Sequence, residues 1–332
     1  MRISIIGAGS FGTAMAITAA RSGNEVVLWA HDPEVAATIR ETGANPDYLG
    51  GHALGATVHA TNDLEEAARF SDTMFMVVPS HHYREVLTNL RPFLRDRVKV
   101  ISGTKGIENE TLDRMSEVTA HVLGEQLAAF AVLSGPTFAV ETARADPTAA
   151  VIASKHVDFA QEVQQVMSCA AFRLYHSDDV VGVELAGSLK NVIAIAAGVL
   201  EGMGLGSNTT AALITRGLHE MTRLGLSLGG RLETFAGLAG MGDLVLTCTG
   251  ALSRNRTVGV QLGQGKTLEE ILRDVKFVAE GIKTSKSARQ ISERHRIEMP
   301  IASEMYRVLY ENESPRGGLQ RLMTRALKAE HA

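Results

Sequence analysis

The residue with the most chemical promise lies in a stretch that is otherwise apolar. In GVELAGSLKNVIAIAAGVLEG, residues 182–202, one ammonium, Lys190, is set among Ala186, Gly187, Ala194 and Ala197. Leu185, Leu189, Val192, Ile193, Ala196 and Leu200 recur at helical spacing and mark a core-facing stripe, which leaves Lys190 on a neighbouring face of small side chains. Two fates fit that placement. The side chain snorkels to water along its methylene stem, or it is enclosed, where an ammonium can protonate an oxygen as charge develops on it. Further on, LAGMGDLVLTCTGALSRNRTVG joins a glycine-lined Asp243 to Ser253, Arg254, Asn255 and Arg256. Guanidinium, hydroxyl and amide donors near a helix start suit a phosphate dianion, although SRNR alone also reads as a solvated turn.

A second anion site announces itself at the N-terminus. Gly7-x-Gly9-x-x-Gly12, in GAGSFG, stands directly between the strand RISII and the helix FGTAMAITAARSG, the context of a dinucleotide fingerprint. Gly7 permits the tight turn, Gly9 lets backbone approach a pyrophosphate, Gly12 allows close helix packing, and the helix start with Ser10 supplies donors. The second strand ends in LWAHDPE, where Ala30 and His31 occupy the usual place of a ribose-binding carboxylate and Asp32 and Glu34 lie beyond it. A 2'-phosphate is not repelled there, so NADP(H) is expected to serve at least as well as NAD(H). His31 reads equally well as a solvated loop histidine. Lys105 in VISGTKG follows the fifth strand, and Gly135, Pro136 and Thr137 in VLSGPTFA follow the sixth, at the ligand edge of such a sheet. Taken singly, they also read as a surface charge and a turn.

Those residues need a scaffold. Short apolar runs (RISIIG, EVVLWA, TMFMVVP, VKVISG, AAFAVLSG, TAAVIAS) alternate with helical stretches up to about residue 175, which predicts an α/β fold with an N-terminal doubly wound (Rossmann-type) parallel sheet. After FRLYHSDD the strand-like runs cease, and the rest reads as an all-helical C-terminal domain. The expected division is residues 1–177 for the dinucleotide and 178–332 for substrate and catalysis. GANPDYLGGHALGATV, residues 43–58, reads as a surface loop.

Composition narrows the function. With 332 residues and a net charge of -4, the chain has room for two domains and no basic footprint for nucleic acid. Its two cysteines, Cys169 and Cys248, stand far apart without ligand spacing, so neither a disulfide framework nor a bound metal is indicated. MRISIIGAGS enters a strand at once, and no apolar stretch of about 20 residues suggests membrane insertion. A cytosolic location is expected.

The fingerprint, TKG, SGPTFA, LKNVIAI, GLAGMGDLVLTC, SRNR and VAEGIKT, in this order and over essentially the whole chain, resemble the bacterial-type NAD(P)-dependent glycerol-3-phosphate dehydrogenases. The resemblance implies reversible reduction of dihydroxyacetone phosphate to sn-glycerol 3-phosphate with NAD(P)H, supplying phospholipid synthesis, by a cytoplasmic homodimer. Carried over residue by residue, it implies Lys190 as proton donor, and Lys105, Gly135, Thr137, Lys190, Asp243, Ser253, Arg254 and Asn255 as substrate contacts. It likewise implies Ser10, Phe11, His31, Lys105, Ala139, Arg254, Val278 and Glu280 as cofactor contacts beside Gly7, Gly9 and Gly12. NPDYLGGHALGATV departs from the Leu-Pro motifs many relatives carry there. Two other readings stay open: a dehydrogenase for another small hydroxy acid on the same plan, and a redox sensor that binds NADPH without turnover.

Overall fold

Each apolar run of the first half becomes a strand of one sheet. The structure, a computed structural model, describes residues 1–274 and 279–330. Eight strands, β1 (Arg2–Ile6), β2 (Glu25–Trp29), β3 (Val58–Thr61), β4 (Thr73–Met76), β5 (Val98–Ser102), β6 (Leu127–Ser134), β7 (Thr148–Ala153) and β8 (Phe172–Ser177), lie in the order β3-β2-β1-β4-β5-β6-β7-β8. β1 to β6 pair in parallel, with Ile5 opposite both Leu28 and Phe75. All three side chains are fully buried, as a sheet covered by helices on both faces requires. The order reverses at β1 and β4, which opens a crevice beyond the strands' carboxyl ends.

Three expectations need correction. The sheet is not wholly parallel: β7 runs antiparallel to β6, and β8 follows β7 in parallel. The segment between β6 and β7 holds only the helix Ala139–Ala143, too little for a parallel crossover. β3 and β8 were not among the apolar runs because both are edge strands; β8 alternates buried Phe172 and Leu174 with exposed Arg173 and Tyr175. Finally, residues 43–58 are no simple surface loop. Pro46–Leu49 is helical, and Asn45, Leu49 and Leu54 are each 2% exposed or less.

Beyond Ser177 every described element is helical. The central helix, Val180–Gly202, starts on Asp179, whose carboxylate accepts hydrogen bonds from the Gly182 and Arg231 amides and the Thr234 hydroxyl. Buried Glu184 ties it to the N-terminal half, accepting from the Ser116 amide and hydroxyl and from Arg114 at 2.6–2.7 Å. Gly182 through Leu200 are all buried, so the expected one-sided stripe is instead a helix enclosed on every face. By length and hydropathy it could cross a bilayer, contrary to expectation, but 94% of its most apolar window is covered by the protein itself.

One contact fixes the second half onto that helix. The helix Arg254–Gly263 crosses it glycine against glycine. A Cβ on Gly198 would lie 2.1 Å from the Arg256 carbonyl oxygen, one on Gly259 2.0 Å from that of Ile195, and one on Gly263 2.3 Å from that of Val199. The backbones therefore touch, which brings Asn255, next to Arg254, against Asn191 in the turn that carries Lys190.

Candidate active site

The glycine turn has the shape its sequence requires. Gly7 adopts φ +118°, and a Cβ there would lie 2.8 Å from the Val77 carbonyl oxygen; one on Gly12 would lie 1.8 Å from that of Gly7. Gly9 instead faces open space. It is the N-cap of helix α1 (Ser10–Arg21), and no side chain caps that helix. Its first amides are free donors at the positive end of the helix, a cradle that fits a pyrophosphate. The Ser10 hydroxyl donates to the Tyr48 carbonyl at 2.8 Å, which ties the start of α1 to the helix Pro46–Leu49. At the end of β2, Ala30 is buried, His31 is exposed with its ring edge-on to Trp29, and Asp32 caps the next helix by accepting from the Glu34 amide at 2.9 Å. That carboxylate is engaged at the helix cap.

Across the crevice lies the lysine of the central helix. Lys190, 5% exposed, donates to Asp243 Oδ1 at 2.5 Å and to Thr247 Oγ1 at 2.8 Å. The other oxygen of Asp243 accepts from Lys105 at 2.7 Å, and Lys105 also reaches the Gly135 carbonyl at 3.3 Å. Asp243 is itself 1% exposed and opens the helix Asp243–Thr249, after a π-helical turn, Leu238–Gly242, that requires glycine at 240: a Cβ there would lie 2.1 Å from the Phe235 carbonyl oxygen. Two ammonium groups thus share one carboxylate out of water. Burial lowers the pKa of Lys190 most; Asp243 opposes it and Lys105 adds to it, and the balance is about 8. Burial pushes Asp243 upward, but the two lysines outweigh it and hold the carboxyl below its ordinary value. An ammonium poised near neutrality is suited to giving up a proton.

The phosphate side is built from the helix Arg254–Gly263. Ser253 is its N-cap, accepting from the Arg256 amide at 3.2 Å, and Asn255 bridges Asn191 Oδ1 and the Gly281 amide at 3.0 and 2.9 Å. Arg254 is exposed at the crevice and, among the described residues, makes no hydrogen bond or ion pair within bonding distance. Partial burial lowers its pKa and Glu280 opposes that; the Glu280 carboxylate is taken by the Ser80 amide and hydroxyl at 3.0 and 2.5 Å, across the two halves of the molecule. Burial keeps Glu280 above the ordinary carboxylate range against those bonds.

Family models described as NAD-dependent glycerol-3-phosphate dehydrogenase N-terminus and C-terminus match residues 2–170 and 179–320. The chain belongs to this family. Glycerol-3-phosphate dehydrogenase (NAD(P)+) of Citrifermentans bemidjiense is 52% identical over 330 residues, 99% of this chain and 98% of the relative. That of Geobacter sulfurreducens is likewise 52% identical over 330 residues, with the same shares. The crystal structure of glycerol-3-phosphate dehydrogenase from Coxiella burnetii has a TM-score of 0.94 at 40% identity, covering 98% of this chain and 99% of that one. A ketopantoate reductase from Ralstonia eutropha, at 17% identity and a TM-score of 0.63 over 96% of this chain and 100% of that one, shares the fold alone.

Within this dehydrogenase-family fold, Lys190, Lys105, Asp243 and Gly135 are in direct contact, and Thr137 joins them by donating to the Gly135 carbonyl at 3.1 Å. Phe11 lies under Lys105, its ring centre 5.9 Å from the ammonium. His31 stands apart beside Trp29, Ala139 is part of the packing around α1, and Val278 lies outside the described residues. Sequence reasoning passed over Thr247 and Asn191, and counted Gly187 only among the small neighbours of Lys190. Thr247 sits one helical turn after Asp243, a spacing that puts both on one face, and Asn191 follows Lys190 directly. Gly187 has a steric role, because a Cβ there would come within 2.7 Å of Ser134 Oγ.

Proposed function

We propose that this chain reversibly reduces dihydroxyacetone phosphate to sn-glycerol 3-phosphate with NAD(P)H, Lys190 being the proton donor. The observation that carries this reading is the enclosed Lys190–Asp243–Lys105 cluster, with Asn255, next to Arg254 in sequence, bonded to Asn191, the residue after Lys190. Residues 1–177 would hold the dinucleotide and 178–332 the phosphorylated ketone. When bound, a reduced nicotinamide supplies the hydride for the C2 carbonyl. Lys190 donates its proton to the carbonyl oxygen as negative charge grows there, and returns to the ammonium form from solvent. Asp243 fixes the direction of the Lys190 ammonium, Lys105 adds positive charge to the same corner, and Arg254 with Asn255 and Ser253 receives the phosphate. By the same family resemblance we place the enzyme in the cytoplasm, as a homodimer supplying glycerophospholipid synthesis. Loss of NADPH absorbance on adding dihydroxyacetone phosphate tests the activity directly. A protein that binds NADPH and oxidises none of it under these conditions is not this enzyme, and fits instead a sensor or a dehydrogenase for another small hydroxy acid.

Two further outcomes follow from the geometry. Arg254→Ala is expected to weaken productive binding of the phosphorylated ketone by about 2 to 4 kcal/mol, with a much smaller loss toward unphosphorylated dihydroxyacetone. The KM for NADPH is expected to rise too. Equal losses in kcat/KM for both ketones at saturating NADPH would remove the phosphate role. For cofactor choice, a carboxylate is best introduced at exposed His31, since Ala30 is buried and an acid there would disturb the core. His31→Asp is expected to shift the kcat/KM ratio toward NADH by about 10-fold or more, through repulsion of a 2'-phosphate. An unchanged ratio argues that the 2' position lies elsewhere.

A further inference from the structure

We propose that Asn45 is the positioning residue of the dinucleotide turn, holding the Ala8 carbonyl from outside the fingerprint so that the Gly9 amide faces the anion. The inference rests on the nicotinamide reading above. Segment 43–58 folds back on itself: Gly43 is left-handed at φ +66°, Ala44 bridges Ala53, and the Leu54 amide donates to the Gly43 carbonyl at 2.9 Å. Leu49 and Leu54 pack into the core that also holds α1. This closure drives Asn45, 1% exposed, beneath the glycine turn. Its Nδ2 donates to the Ala8 carbonyl and to Thr13 Oγ1, both at 2.8 Å, and Thr13 Oγ1 donates to the same carbonyl at 3.3 Å.

Two hydrogen bonds thus end on one carbonyl inside Gly7–Gly9, and a third ties their two donor side chains together. The peptide plane makes that carbonyl decisive. In a planar trans peptide the Ala8 oxygen and the Gly9 N–H point in opposite directions, so an oxygen held inward sends the N–H outward, toward the free end of α1. Asn45 Oδ1 accepts no hydrogen bond although buried. A buried acceptor without a partner is costly, which marks the residue as kept for its donors. A second strap runs alongside, the Ser10 hydroxyl to the Tyr48 carbonyl at 2.8 Å.

The test is equilibrium binding of NADPH, NADH and ADP to the purified protein, by ligand fluorescence and calorimetry, with melting temperature read on the same samples. Asn45→Ala is expected to raise Kd about 10-fold or more for all three ligands alike, with kcat at saturating cofactor within about twofold of the parent. Asn45→Asp, which keeps the volume but turns an acceptor and a charge toward the Ala8 oxygen, is expected to bind still more weakly. Asn45→Ser keeps one donor and should fall between parent and alanine, which secures the test if the alanine protein is insoluble. A lower melting temperature with parental Kd values overturns the inference and leaves Asn45 as loop cement. A loss confined to NADPH overturns it too, by placing the residue at the 2' end. A parent protein that binds none of the three ligands instead overturns the nicotinamide reading itself.

Discussion

Lys190→Met is expected to bind NADPH almost normally and to turn over at least about 10² to 10⁴ times more slowly, the range of general acid catalysis, with further loss because a positive charge leaves the site. Methionine preserves the stem's packing in a helix that has no exposed face, so the loss reads the ammonium and not the fold. Lys190→Arg should be inactive as well. It keeps the charge, but a guanidinium holds its proton too tightly and cannot fit between Asp243 and Thr247. The pH profile is an independent measurement. With the lysine at about 8, kcat/KM for ketone reduction should fall as pH rises through that value, because the acid form is lost. For alcohol oxidation it should fall as pH drops through the same value, because the base form is lost. Turnover of Lys190→Met within about threefold of the parent would move the acid to another residue.

Asp243→Ala should be nearly as severe, and for a different reason. It strands two ammonium groups, one of them fully enclosed, without the carboxylate that both contact. Removing one member of a buried ion pair typically costs about 3 to 5 kcal/mol, so a large drop in the denaturation midpoint is expected together with a kcat loss of about 10²-fold or more. Asp243→Asn separates the two effects. It keeps hydrogen-bonding atoms but removes the charge that raises the lysine pKa, so the basic limb for ketone reduction should move below its parental position of about 8. An unmoved limb in an active Asp243→Asn protein would show that the titrating group is not Lys190.

Much of this was legible in the residues, and the limits are physical. The fingerprint could be read because Gly7 and Gly12 occupy positions where a Cβ has no room, and because β1 and β2, central to the sheet, are continuous apolar runs. β3 and β8, the two edge strands, could not: β8 buries one face only, and β3 is four residues long with His59 and Thr61 among them, so neither sequence carries an apolar run. The direction of β7 depends on how little helix separates it from β6, a quantity of connection and not of propensity. Lys190 was singled out by its small neighbours. Its full enclosure, and its partnership with Lys105 through Asp243, depend on contacts between residues 138 and 53 positions apart. Asn45 carried no signal at all, since a buried asparagine and a loop asparagine look alike until the chain closes around it.

The glycine crossing of the central helix and Arg254–Gly263 has a consequence for inheritance. Every amino-acid-changing base substitution in a glycine codon adds at least a Cβ, and at Gly198, Gly202, Gly259 and Gly263 that atom would sit 2.0–2.3 Å from a backbone oxygen of the opposing helix. Missense alleles at these four codons should therefore behave alike whatever residue they encode. They should be heat-sensitive and recessive, failing through a shifted Arg254 while every ligand-contacting side chain stays intact, and their suppressors should map to the facing helix.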